Sequence, residues 1–371
     1  MLIPPADSHR AEQTRFLSTT EARGATWSSV THPRVGPDGG ELRTDVARFG
    51  APVGEASTVV LVSSGLHGVE GHAGSGLQHL LVDSGRLERL APGLAVVLIH
   101  AVNPYGHAWS RRVDHDNIDV NRNFIDGPDL PANPGYAAID PILNPTELDP
   151  DDQSFLGELL AWWAEVGDVE AFATISGGQY SHPHGVQFGG THPSWSRRAL
   201  ETIWSEQLVG ATDAVALDLH TGLGPLGRQT VFQTADADEP GAVAGSGWFE
   251  DWIYRTDRSN PVDHGLLGPG FDAWAAGDAA GDGAGSGVRT NTFVLEFGTH
   301  DPTQGVTVFR ADNWLHQHGD PTSPVGERIR SEMLDFFFVD DDGWRASVAE
   351  QGLDAIHRAL DGVERGDLRA A

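Results

Sequence analysis

The stretch STVVLVSSGLHGVEGHAGSGLQHLLVDSGRLERL, residues 57–90, decides the fold class. Ser57 to Ser63 is β-branched and apolar, reads as a strand and runs out through Ser64-Gly65. Gly74 to Leu90 has helical spacing. Between them lies His67-Gly68-Val69-Glu70. In open α/β sheets, ligands bind beyond the carboxyl ends of strands. A His and a Glu three residues apart on such a turn can converge on one point, and both are ordinary zinc ligands. A helix N-terminal acid beside a solvated histidine is the plainer alternative.

The same alternation continues outward. Ala6 to Arg23 is a short helical stretch among Pro and Gly turns. Leu94 to Val102 is a buried strand closed by the turn Asn103 to Gly106. Asp152–Val166 and Pro193–Leu208 read as helices. Asp213–Leu219, Gln229–Thr234 and Thr290–Phe297 read as strands, and Pro324–Phe338 and Trp344–Arg365 as closing helices. Strands separated by helices predict an α/β fold: one mixed, mostly parallel sheet flanked by helices. The expected organisation is an N-terminal extension, 1–40, packed on one domain, 41–371. A flexible Ala/Gly/Asp/Ser insertion is expected at 275–287. The long polar loop Ser110 to Asp152 is of a length that compact domains keep for function. Trp162-Trp163 and Phe336 to Phe338 are expected in the core.

Composition narrows the partners. The chain has 371 residues, 53 acidic and 24 basic, a net charge of −29, and every basic residue is arginine. So acidic a surface excludes nucleic acid and anionic membranes as partners. No apolar run approaches the ~20 residues of a membrane span. Without cysteine there are no disulfides and no thiolate ligands. The N-terminus lacks the pattern of a secretory signal, which predicts a cytoplasmic protein. Codon bias accounts for the missing lysine, but the net charge favours adaptation to high salt. Oligomeric state is not legible.

Three further groups carry chemistry. Asp218-Leu219-His220-Thr221-Gly222 ends an apolar strand in a histidine, which could equally be a core residue bonded to backbone. Glu296 sits inside Val294 to Gly298. Burial there would raise its pKa towards a general base's range, unless strand alternation turns it to solvent. Asp119 to Phe124 places Asn121 and Arg122 on a loop after Arg111-Arg112. This suits recognition of a carboxylate, or a local salt-bridge cluster with Asp114, Asp116 and Asp119. Two patterns fail. Gly222 to Gly227 matches a dinucleotide fingerprint, but Pro225 and a strand follow where a helix is needed. No nucleophile elbow of the serine-hydrolase type exists.

Taken in order, His67 with Glu70, then Asn121-Arg122, His220 and Glu296 resemble the zinc carboxypeptidases, family fourteen of the metallopeptidases. Gly65 to Gly71, Gly178-Gln179-Tyr180, His182-Pro183, Phe188-Gly189-Gly190, Pro193-x-Trp195-Ser196 and Asp218 to Pro225 look like an uncharacterised, domain-of-unknown-function branch of that superfamily. The resemblance spans Val59 to Phe338. It implies one zinc ion held by His67, Glu70 and His220, with one position left to water. Asp119 would orient His67, and Glu296 would be the general base. Asn121 and Arg122 would hold a substrate carboxylate, and Arg111 or Arg112 would stabilise the oxyanion. His182 and His184 would line the cleft. The tyrosine that the family places near the base has only a loose candidate, Tyr254. The implied activity is hydrolysis of an amide bond in a small peptide with a free carboxylate. The alternative is deacylation of an N-acyl amino acid; a non-catalytic metal-binding protein ranks last.

Overall fold

The structure is a computed structural model that describes residues 1–256, 264–277 and 286–369. Its strands are β1 (Thr26–Val35), β2 (Glu41–Gly50), β3 (Thr58–Ser64), β4 (Leu94–His100), β5 (Asp213–Gly222), β6 (Gln229–Thr234), β7 (Ile253–Thr256) and β8 (Arg289–Gly298). The helices are α1 (His9–Ala22), α2 (Gly71–Asp83), α3 (Pro104–Trp109), α4 (Tyr136–Leu143), α5 (Phe155–Val166) and α6 (Asp168–Ser176). They continue with α7 (Trp195–Gln207), α8 (Pro240–Phe249), α9 (Leu267–Ala276), α10 (Pro302–His318), α11 (Pro324–Phe337) and α12 (Asp342–Arg365).

All eight strands form one sheet in the order β1-β2-β4-β3-β5-β8-β6-β7. The central four are mutually parallel, β2 and β6 join antiparallel, and β7 runs parallel to β6 at the edge. The mixed, mostly parallel α/β sheet expected from the sequence is thus the observed fold. β3 is buried along its whole length. Val60 and Val62 pack with α1, α2, α8 and α12 on one face, and Val59 and Leu61 with α7 and α9 on the other. A strand covered on both sides reads as a continuous apolar run, as residues 58–62 do.

Several expected boundaries move. α2 stops at Asp83, because Gly85 takes a left-handed φ of +70° and ends the helix before Leu90. The Asn103–Gly106 turn is the start of α3: the Asn103 side chain accepts the Gly106 N–H at 2.9 Å, and Pro104 takes the first helical position. The loop from Ser110 to Asp152 contains α4. Position 40 falls in the turn joining β1 to β2. Of the expected insertion, 278–285 lies outside the described residues, and Ala275 is buried at the end of α9. Phe336 to Phe338 are buried, whereas Trp162 and Trp163 are half-buried on outlying α5. Among the described residues no helix is long and apolar enough to cross a membrane.

What matters for the site is how β3 hands over to α2. After Gly65 a one-turn 3-10 helix, Gly68–Glu70, runs against the chain leaving α3. Gly68 N–H donates to the Arg112 carbonyl at 3.1 Å and Val69 N–H to the Arg111 carbonyl at 2.8 Å. The two backbones touch at Gly68: a Cβ there would lie 2.2 Å from the Gly106 carbonyl carbon. Replacing Gly68 by alanine therefore forces backbone apart. Gly68→Ala is expected to cost about 1–3 kcal/mol of stability, read as a lower urea midpoint. An unchanged midpoint would mean that the segments are not in contact in solution.

Candidate metal centre

His67, Glu70, His220 and Glu296 come together at the carboxyl ends of β3, β5 and β8, all four buried. His67 and Glu70 lie at either end of the 3-10 turn, and their side chains converge as the i, i+3 spacing allows. His220 and Glu296 are direct partners in the parallel β5–β8 register, which sends both side chains to one face. Leu295 and Phe297 fill the core on the opposite face, so Glu296 is not the solvent-facing member of an alternating strand.

The carboxylate of Glu70 is central. Oε1 lies 2.9 Å from His67 Nδ1 and accepts from Arg112 Nη1 at 3.1 Å. Oε2 lies 2.9 Å from His220 Nδ1 and accepts the Thr221 N–H at 3.1 Å. Both imidazoles are backed by acids. His67 Nε2 meets Asp119 Oδ1 at 3.1 Å, and His220 Nε2 meets Asp218 Oδ2 at 2.6 Å. Each imidazole thus stands between two carboxylates, Asp119 and Glu70 for His67 and Asp218 and Glu70 for His220. His67 Nδ1 is buried without a hydrogen-bond partner despite its closeness to Glu70.

The electrostatics call for positive charge here. Burial would lower the pKa of His220, but Asp218 and Glu70 raise it well above the usual value. Burial would raise Glu70 and Asp119, but His67 and His220 around Glu70, and Arg112 and His67 around Asp119, hold both well below the carboxylate range. At Glu296 the charges of His220 and Arg112 pull the pKa down by less than the rest of its surroundings raises it. Burial and then the charge of Glu70 push it up to about 7, while Oε1 accepts the Leu223 N–H at 2.9 Å. Two backed imidazoles, a carboxylate and an orphaned nitrogen are a donor set of the kind zinc takes.

The two neighbouring arginines part company. Arg112 bridges Glu70 and Asp119, through Nη1 and Nε, and lies over the Phe309 ring. Arg111 is locked away from the centre: its guanidinium pairs with Asp312 and donates to Asn117 and the Asp114 carbonyl. Asn121 Oδ1 accepts the Leu267 N–H, and Arg122 donates to the Ser176 and Asn121 carbonyls. A cleft beside Arg112 is walled by Val186, Gln187, Phe309, Asn313 and Met333. His184 lies at the surface and bonds Gln317, and His182 packs on Tyr136. Tyr254 is exposed on the edge strand β7 against Phe232, two strands from Glu296. Asp218 was legible but unassigned: Asp-x-His in a strand puts both side chains on one face. Ser63, its register partner on β3, donates to it at 2.6 Å.

With this geometry in place, comparison gives the relatives. The family model described as a protein of unknown function, DUF2817, matches residues 6–351. The chain belongs to that family. No match was found among curated proteins. Among solved structures the chain is similar to bovine thrombin-activatable fibrinolysis inhibitor, solved in complex with tick carboxypeptidase inhibitor, at 12% identity, 98% coverage of both chains and a TM-score of 0.50. It is also similar to a metallo-carboxypeptidase from Burkholderia cenocepacia at 12% identity and a TM-score of 0.45, covering 95% of this chain and 68% of that one. A protein assigned to the succinylglutamate desuccinylase/aspartoacylase family, from Shewanella amazonensis, shares 20% identity over 79% of this chain and 73% of its own, at a TM-score of 0.38. The uncharacterised family and the carboxypeptidase fold that the sequence led one to expect are both found.

The loop that carries the arginines holds one uncompensated acid. Asp114 is buried with Oδ1 accepting the Asp116 and Ile118 N–H groups and Oδ2 unpartnered, and burial pushes its pKa up to about 7. At pH 3 it is protonated folded and unfolded alike. As pH rises the unfolded chain releases the proton first, so the folded state loses stability until pH passes about 7. Asp114→Asn is therefore expected to match the wild type near pH 3 and to exceed it at pH 8 by on the order of 1–3 kcal/mol. Urea melts at the two pH values test this; an equal difference at both would show that the group titrates normally.

Proposed function

We propose that the protein is a zinc-dependent hydrolase of amide bonds, carboxypeptidase-like, acting on a small peptide that carries a free carboxylate. The observation that carries this reading is the convergence of His67 Nδ1, His220 Nδ1 and Glu70 beside the buried Glu296. The carboxypeptidase fold of a structural relative is consistent with it. His67, Glu70 and His220 would hold the ion. Once bound, zinc would supply Lewis acidity at the scissile carbonyl and lower the pKa of water in the site.

The rest is done by the chain. With an ion at the two Nδ1 atoms, Asp119 and Asp218 would accept from the two Nε2–H groups and so orient the rings. Glu296 accepts the proton of the attacking water and passes it to the leaving nitrogen, and a pKa near 7 suits both directions. Arg112, at the edge of the cleft, faces the negative charge that develops on the carbonyl oxygen. Arg111 has no part in this, because Asp312 holds it. Arg122, oriented by the Ser176 and Asn121 carbonyls, binds the substrate carboxylate together with Asn121.

The test uses purified protein with zinc and a panel of blocked dipeptides, longer peptides and N-acyl amino acids. Release of the C-terminal residue from peptides supports the reading; release from the acyl compounds alone makes the enzyme a deacylase. Glu296→Gln is expected to lower kcat by about 10²–10⁴ with bound zinc unchanged. His220→Ala should lose metal and activity together. Full activity in either variant would refute the assignment.

A further inference from the structure

A second histidine–carboxylate cluster lies behind the first, and nothing above uses it. Glu12 on α1, His72 on α2 and His107 on α3 are all buried, with His9 and His100 beside them. Glu12 Oε1 lies 3.0 Å from His72 Nδ1 and accepts the Asp7 N–H; Oε2 lies 3.1 Å from His107 Nε2. We propose that Glu12, His72 and His107 bind a second divalent transition-metal ion of the zinc type, which fastens α1 to the segment carrying Glu70.

The argument is one of lone pairs. Oε2 and His107 Nε2 face each other, both buried, and neither makes a hydrogen bond. The other nitrogen of His107 meets His9 Nδ1 at 2.6 Å, so one hydrogen sits between those two rings. If His107 donates it, Nε2 presents a lone pair to a carboxylate, a contact that a cation between them relieves. The arrangement repeats the first cluster. There, too, one carboxylate stands between two imidazole nitrogens at 2.9 Å each, and one of those nitrogens is orphaned. In both, the outward nitrogen of a histidine is engaged by a neighbour, which is how ligating imidazoles are oriented. Burial lowers the pKa of His107, favouring the neutral ring that ligates. Burial would raise Glu12, but His72 and His107 hold it well below the usual range. Two nitrogens and a carboxylate suit zinc and its neighbours.

Such an ion would be structural. Its three ligands are closed off from solvent, and they tie three helices together. His72 follows Glu70 by two residues. The His107 ring packs on Gly71, where a Cβ would lie 2.8 Å from Cδ2. The ion would thus hold both the turn that presents Glu70 and the helix behind it.

Metal analysis of the full chain, equilibrated with Zn2+ and dialysed, tests the idea. The expected contents are two ions per chain in the wild type, one in Glu12→Gln, one in His220→Ala and none in the double variant. The proposal is overturned if the wild type holds a single ion that His220→Ala loses and Glu12→Gln keeps, or if Glu12→Gln still holds two. A single ion lost with Glu12→Gln and kept in His220→Ala would uphold this site and remove the metal from the proposed active centre. Should Glu12→Gln fail to fold, the wild type against His220→Ala decides: one ion remaining in His220→Ala supports the second site, and none overturns it.

Discussion

The carboxylate of Glu70 is the group around which the site is built. A buried charge is costly unless its lone pairs are taken up. Here Arg112, the Thr221 N–H and two imidazoles surround it. Each of those partners imposes a demand on the fold. Arg112 must leave α3 close to the turn that carries Glu70, which the hydrogen bonds at Gly68 and Val69 secure and the missing Cβ of Gly68 permits. Thr221 and His220 must reach the same point, which fixes how far β5 extends beyond β3. Asp119 and Asp218 then back the imidazoles from the far side. Among the described residues Asp119, Asp218 and Glu296 gather around Glu70 and its two histidines, and Arg112 bridges two of these four acids. The excess of negative charge is what makes a divalent cation fit.

How legible this was depended on burial and on distance along the chain. β3, β4 and β5 are enclosed on both faces, so their sequences are largely apolar; the ends of β3 and β4 could be placed to within two residues, whereas β5 runs three residues past the expected Leu219. β1 escaped notice for the opposite reason. It is a mostly exposed edge strand that contains Pro33, and edge strands are tolerated with just such residues. The four side chains that meet, His67, Glu70, His220 and Glu296, were legible as an order of motifs. The choice between Arg111 and Arg112 was not, because neighbouring residues on an irregular loop carry no periodicity to say which way each points. Glu12, His72 and His107 left no trace either: they come from three helices, and no local spacing joins them.

The absence of lysine bears on the interior as well as the surface. A guanidinium offers forked donors in one plane, where an ammonium is a point charge. Arg112 uses two edges of its fork to span Glu70 and Asp119, and Arg197 likewise joins Asp126 and Glu201 beneath the Asn123 loop. A chain whose buried acids are numerous gains orientation from such bridges as well as charge balance. The acidity at the surface says something about solvent; the arginines inside say which acids the fold has paired.

The two histidine–carboxylate clusters are separated in sequence by Gly71 alone. Glu70 closes the 3-10 turn and His72 opens α2, and the change of helical geometry between them sends one side chain forward to His220 and the other back to Glu12. A side chain between them would crowd the His107 ring, whose Cδ2 lies 2.8 Å from where its Cβ would stand. The N-terminal helix and the candidate active centre are therefore mechanically one object. Whatever fastens α1 through Glu12 also sets the angle at which Glu70 leaves the turn. That is a physical reason for a chain with so few cations to keep His9, His72, His100 and His107 buried behind the candidate centre.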